Sequence, residues 1–195
     1  MTHLLSLSRR PDNIILSTDL ICMPSQQWPE TTAEDQVLKA PSENQIVLHY
    51  QKNGHVTLPS NTSGKATSGT VSIYGTNQSL SSDTLHDIHN VWNALSTGGD
   101  CQGRLLAQQP FDDSMCYQPN TERISQERQA LYSSDPLQGK NRWCGNKVQI
   151  PDDVMKGLYT IYWVWDWPTS SRTPGDLEGK TEIYMTCLDI EVVNP

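Results

Sequence analysis

Residues 157–168 read GLYTIYWVWDWP, and their alternation decides the architecture. Tyr159, Ile161, Trp163, Trp165 and Trp167 share one parity, and Tyr162 and Val164 share the other. Both parities are apolar, which predicts a long strand buried on both faces and stopped by Pro168. Upstream, KVQI at 147–150 predicts a strand ended by the turn Pro151-Asp152-Asp153. Downstream, KTEIYMTCLDIEV carries a final strand over 181–193. QIVLHY at 45–50 alternates, and Asn53-Gly54 predicts that it pairs with 55–58 as a hairpin. GTVSIYG at 69–75 reads as another short strand between glycines. Leu85, Ile88, Trp92 and Leu95 recur at helical spacing, which predicts a helix over 82–95 capped by Ser82 or Asp83. Residues 96–143 are loop-rich, with a short helix at 125–131. Short strands, frequent turns and little helix predict an all-β, immunoglobulin-like antiparallel β-sandwich in one domain, 1–195. A long loop insertion over 76–146 and one or two short helices would decorate it.

The formal charge is −8, with no basic block, so nucleic acid is not an expected partner. No run of 18 apolar residues exists, and no membrane span is predicted. A monomer is expected. Five cysteines include no CxxC pair, which argues against structural zinc. Two disulfides and one leftover thiol are the simplest reading, and they imply an oxidising compartment. Two sequons agree, at Asn61 and Asn77. The opening residues MTHLLSLSRRPDN do not form a secretory leader.

Several residues are candidates for chemistry. His55 follows the Asn-Gly turn, where loop-end sites of sandwiches lie, and neutral imidazole is the commonest metal ligand. The competing reading is a surface hairpin histidine. Tyr184 is in phase with Leu188, Ile190 and Val192, and Glu182 shares that parity. A core tyrosine is the plain alternative, yet an inward carboxylate beside it needs a partner. Trp28, Trp92 and Trp167 are candidate sugar-stacking rings. Asp166, amid tryptophans, requires a hydrogen bond, with Arg172 as a candidate partner. His86, Asp87 and His89 lie within one helical turn and could bind metal, although solvated helix histidines are common. Asp112-Asp113 and Asp152-Asp153 read as turn caps.

HVTLP at 55–59 followed by TVSIYG at 70–75 resembles the second-histidine segment of fungal lytic polysaccharide monooxygenases. NKVQIPDDVMKGLYTIYWVWDWP resembles their penultimate region, and TEIYMTCLDIEV their closing strand. These likenesses cover about half the chain, in short motifs. Nearly the whole chain, including DIHNVWNALSTGGDCQGRLL and FDDSMCYQ, resembles an uncharacterised fungal secreted domain family described as monooxygenase-like. The resemblance implies a secreted copper protein that oxidises cellulose, chitin or another cell-wall polysaccharide. It implies copper held by His55, with Tyr184 axial and Glu182 orienting the oxygen species. It also implies the pairs Cys22–Cys187 and Cys116–Cys144, with Cys101 left over. The established enzymes begin with a histidine whose α-amine also binds copper, whereas this chain begins with Met1 and has His3. A missing N-terminal segment is therefore expected. The rival expectations are a copper-binding protein without catalysis, a metal-free carbohydrate-binding module and, more distantly, a glycosidase.

Overall fold

A computed structural model describes residues 3–4, 15–26, 37–52, 55, 57, 64–169 and 181–194. Eight strands dominate: β1 (His3–Leu4), β2 (Leu38–Pro41), β3 (Gln45–Tyr50), β4 (Thr70–Thr76), β5 (Arg104–Pro110), β6 (Cys144–Gln149), β7 (Gly157–Asp166) and β8 (Ile183–Val193). Helix α1 (Leu85–Ile88) lies between β4 and β5, and helix α2 (Arg123–Leu131) between β5 and β6. β5 itself pairs with β4, so the stretch 76–146 expected as a loop insertion contributes a strand to the main sheet. The fold is an all-β sandwich. A six-stranded sheet runs β1-β8-β7-β4-β5, with β2 also on β8, and a two-stranded sheet pairs β3 with β6. One pairing departs from the antiparallel expectation: β2 runs parallel to β8, Leu38 opposite Ile190 through Pro41 opposite Val193.

β7 lies between β4 and β8 and is buried on both faces, as its alternation predicts. One face carries Tyr159, Ile161, Trp163, Trp165 and Trp167, which pack with Val71, Ile73, Ile190 and Val192 under the β3–β6 sheet. The other carries Tyr162 and Val164, covered with Tyr74, Ile183 and Met185 by Ile21, Leu85, Ile88 and Trp92. β8 divides in the same way: Tyr184, Leu188, Ile190 and Val192 face the first core, and Ile183, Met185 and Cys187 the second. Tryptophans suit such a strand only when their N–H groups are satisfied. Trp163 donates to Asn146 Oδ1 at 3.0 Å, Trp165 to the Ser68 carbonyl at 2.8 Å and Trp167 to the Thr67 carbonyl at 2.9 Å.

Two local expectations are corrected. β3 pairs with β6 across the whole of its length, from Gln45 opposite Gln149 to Tyr50 opposite Cys144. His55 therefore does not open a hairpin strand. It lies in a turn, its N–H donating to the Lys52 carbonyl at 2.9 Å, while residues 53, 54, 56 and 58 lie outside the described residues. A six-residue ladder against a partner that buries Val148 outweighs the local turn signal. The helix over 82–95 shrinks to Leu85–Ile88, capped by Thr84 rather than by Ser82 or Asp83. It stops because Asn90 takes a left-handed φ of 63° and gives its N–H to the Tyr74 hydroxyl at 3.0 Å. The expected 125–131 helix extends from Arg123 to Leu131.

Cys22–Cys187 and Cys116–Cys144 are disulfides, and Cys101 is free and exposed. Two bridges indicate an oxidising compartment. Among the described residues, no helix is long and apolar enough to cross a membrane.

His89 carries a pH-dependent stability term. The Tyr74 hydroxyl accepts from the Asn90 N–H and shares a hydrogen bond with His89 Nδ1, 3.1 Å away. Burial pushes the imidazole down to about 4. The folded-state value lies below the ordinary 6.5, so the unfolded chain binds more protons as pH falls. This contribution is complete above about 6.5 and is lost as pH falls towards about 4. Urea unfolding at neutral pH and near pH 4 should show His89→Gln losing about 2–3 kcal/mol less than the wild type. Equal losses would remove His89 from the acid response.

Candidate functional site

Two distant stretches converge at one end of the sandwich. β8 supplies Tyr184, the residues leading into it supply Glu182, and the turn after β3 supplies His55. The His55 ring lies edge-on to Trp167, centroids 4.9 Å apart, and to Trp165 at 5.4 Å. Its centroid is 5.9 Å from that of Tyr184. Trp165 stacks on Tyr184 at 4.8 Å and on Trp167 at 4.9 Å. His55 and Tyr184 border one open pocket together with Gln51, Phe111 and Trp165.

The turn is held from below. Lys52, 1% exposed, donates from Nζ to Thr57 Oγ1, so the two residues flanking His55 in the turn are tied together. Asn120 Nδ2 lies 3.4 Å from the same Oγ1 and links the turn to the loop before α2. Burial first, and then the neighbouring Arg128, push the Lys52 ammonium down to about 7. Arg128 grips Asp112 with two bonds of 2.7 Å each. Asp112 and Asp113 both cap the turn as expected, Asp112 accepting from the Ser114 N–H and Asp113 from those of Met115 and Cys116, and Asp112 is an ion-pair partner as well.

Electrostatics set the protonation states. Burial lowers the His55 pKa; Glu182 opposes that shift and Lys65 adds to it. The shift favours the neutral imidazole, with its nitrogen lone pair available. His55 Nδ1 is buried and has no hydrogen-bond partner among the described residues. Tyr184 donates to Glu182 Oε1 at 2.7 Å, and Lys65 Nζ meets Glu182 Oε2 at 2.7 Å. Lys65 also donates to the Trp167 carbonyl and lies 4.1 Å above the Trp167 ring. Burial and the Glu182 charge raise the Tyr184 pKa far above the tyrosine range. Tyr184 accordingly offers a neutral phenol oxygen, not a phenolate.

Other candidates do not join this centre. Trp167 is 2% exposed and Trp92 4%, so neither presents a face for stacking a sugar; both indoles are core. Trp28 and Asn61 lie outside the described residues, as does Arg172. Burial raises the Asp166 pKa, with Lys65 opposing. His86 is exposed while His89 turns inward to Tyr74, which separates that pair. Asn77 donates to the Met155 and Leu158 carbonyls at 3.1 and 2.9 Å, so its amide is engaged in the fold. Asp113, Cys116 and Cys144 gather closely enough for a metal, but both sulfurs are consumed in the disulfide. Among the described residues, no group of three His, Cys, Asp or Glu side chains surrounds His55. β1 runs beside the site strand, with Leu4 opposite Tyr184 and His3 opposite Met185, so His3 does not hold the register position facing Tyr184.

Lys65 and Lys52 escaped the sequence reading, which placed Trp165 in the core and not at the site. Lys65 sits in the Gly/Ser-rich stretch 63–69 and meets Glu182 across 117 residues, with no periodicity to reveal it.

The family described as a domain of unknown function, DUF7492, matches the chain over residues 1–195. No curated protein matches it.

Proposed function

The chain belongs to the DUF7492 family, whose description assigns no chemistry, and from the site itself we propose that it is a secreted copper protein acting oxidatively on cell-wall polysaccharide. The observation that carries this reading is the convergence of a neutral, half-buried imidazole with a protonated tyrosine whose hydroxyl is fixed by a carboxylate. A neutral imidazole and a weak phenol oxygen are donors that suit copper. The donor set fits in part: the described residues contribute one strong nitrogen, from His55, and further nitrogens would come from outside them. Bound copper would supply the redox step that turns O₂ or peroxide into an oxidant for a C–H bond beside a glycosidic linkage.

The protein's own groups have separable roles. His55 presents its lone pair at the pocket. Tyr184 shields one side of the site and keeps its proton, because Glu182 accepts its hydrogen bond. Lys65 holds Glu182 in that orientation. Trp165 and Trp167 exclude water beneath the imidazole, which keeps it deprotonated.

Calorimetry and electron paramagnetic resonance with copper(II) test the proposal. One ion per chain with nitrogen coupling is expected, and His55→Ala should weaken binding by tenfold or more, about 1.4 kcal/mol or greater. Identical isotherms for both proteins would sink it. With ascorbate and peroxide, oxidised chain ends from cellulose or chitin separate catalysis from binding alone.

A further inference from the structure

We propose that the cleft at the opposite end of β7 binds a neutral sugar, gripping adjacent hydroxyls with Arg104, Asp153 and Tyr159. Tyr159 and Trp165 are six residues apart on β7, roughly 20 Å at ~3.3 Å per residue, so this cleft is separate from the His55 pocket. The inference does not rest on copper.

The cleft is open to solvent and holds about 190 Å³, less than the ~300–1,000 Å³ of clefts for drug-sized ligands, so it suits a single sugar ring. Gly75, Asn77, Cys101, Arg104, Asp153 and Tyr159 contribute to its walls. Tyr159 is 2% exposed, and its hydroxyl has no hydrogen-bond partner among the described residues. Leaving a buried hydroxyl unpaired is unfavourable, so its persistence points to a ligand. A Cβ at Gly75 would lie 2.3 Å from that hydroxyl, so only glycine leaves room for it. Burial pushes the Tyr159 phenol up to about 12, which keeps it a neutral donor and acceptor.

Charge selects the ligand class. Arg104 Nη2 donates to Asp153 Oδ2 at 2.7 Å, a pair on the cleft wall. The guanidinium retains further N–H donors, and the carboxylate retains acceptor capacity. Asp152 adds another negative charge near Arg104. An anion would therefore meet no net positive charge. A neutral diol matches better: each hydroxyl both donates and accepts, so one can accept a hydrogen bond from Arg104 while donating one to Asp153. Val154 and Met155 offer apolar contact for the C–H face of the ring. Asn77 braces the wall through its bonds to the Met155 and Leu158 carbonyls.

Cys101, an exposed thiol on the cleft, provides the readout. Its alkylation by iodoacetamide should be followed by mass spectrometry with cellobiose, N,N′-diacetylchitobiose, mannobiose or gluconate present. At least one neutral sugar should slow alkylation severalfold and saturably. Arg104→Ala and Asp153→Asn should each abolish that protection, whereas His55→Ala and Tyr184→Phe should retain it. An unchanged rate with all three neutral sugars overturns the proposal, as does protection that survives Arg104→Ala. Protection lost in His55→Ala would assign the sugar to the other end, and stronger protection by gluconate would overturn the neutral-ligand assignment.

Discussion

Replacing Cys22 and Cys187 together by alanine is expected to lower the free energy of unfolding by about 5 kcal/mol. The bridge joins residues separated by 165 positions. Loop-closure entropy grows with the logarithm of loop length, giving about 5 kcal/mol here. Cys116–Cys144 closes a separation of only 28, for which the same relation gives about 3.5 kcal/mol. The order of the two losses is the test, read by urea unfolding of the two double variants. Double replacement matters because a single one would leave a thiol able to attack the Cys116–Cys144 disulfide. A structural consequence accompanies the larger loss. Residues 15–26 cover the second core with Ile21, and Gln26 Nε2 donates to Thr186 Oγ1 at 2.8 Å. Without the bridge, that segment is the first to detach from Tyr162 and Met185. Equal or reversed losses would defeat the entropic account.

The same β8 shows how far sequence reasoning reaches. Its parity places Tyr184, Leu188, Ile190 and Val192 on one side, and the structure packs all four against the first core. The two faces of β7 were equally legible, because every residue from Tyr159 to Trp165 is apolar except Thr160. Period-two patterns survive folding because one slipped register would invert every side chain. Partner choice is different. β3 finds β6 almost a hundred residues away, and nothing in QIVLHY encodes that distance. The spacing of Leu85, Ile88 and Trp92 was read as helix, yet all three pack on the second core with only Leu85–Ile88 helical. Burial alone produces such spacing when a loop folds back on a sheet. At the site, Tyr184 and Glu182 were found by parity and resemblance. Lys65 and the Lys52–Thr57 tie were not, because they are polar contacts in loops.

Trp165 is the residue whose loss should do most to the site and the fold together. It is 3% exposed and stacks on Phe111 at 3.6 Å, Tyr184 at 4.8 Å and Trp167 at 4.9 Å. Trp165→Ala should cost about 4–5 kcal/mol, combining the cavity of a lost core indole with its ring contacts. It also strands the Ser68 carbonyl, which accepts from the indole at 2.8 Å. Trp165→Phe keeps a ring in the stack and loses that bond, so a loss of about 1–2 kcal/mol is expected. The second readout is His55. Burial is the main cause of its lowered pKa, and Trp165 is one of the two indoles that supply this burial. Removing the ring admits water, so the imidazole should titrate closer to its ordinary value near 6.5. Titration of the His55 ring protons by nuclear magnetic resonance would follow this in the Ala variant, or in Trp165→Phe, with a smaller shift, if Ala does not fold. A stability loss with no movement of His55 would mean that Trp167 alone desolvates the imidazole, and that Trp165 serves the core rather than the site.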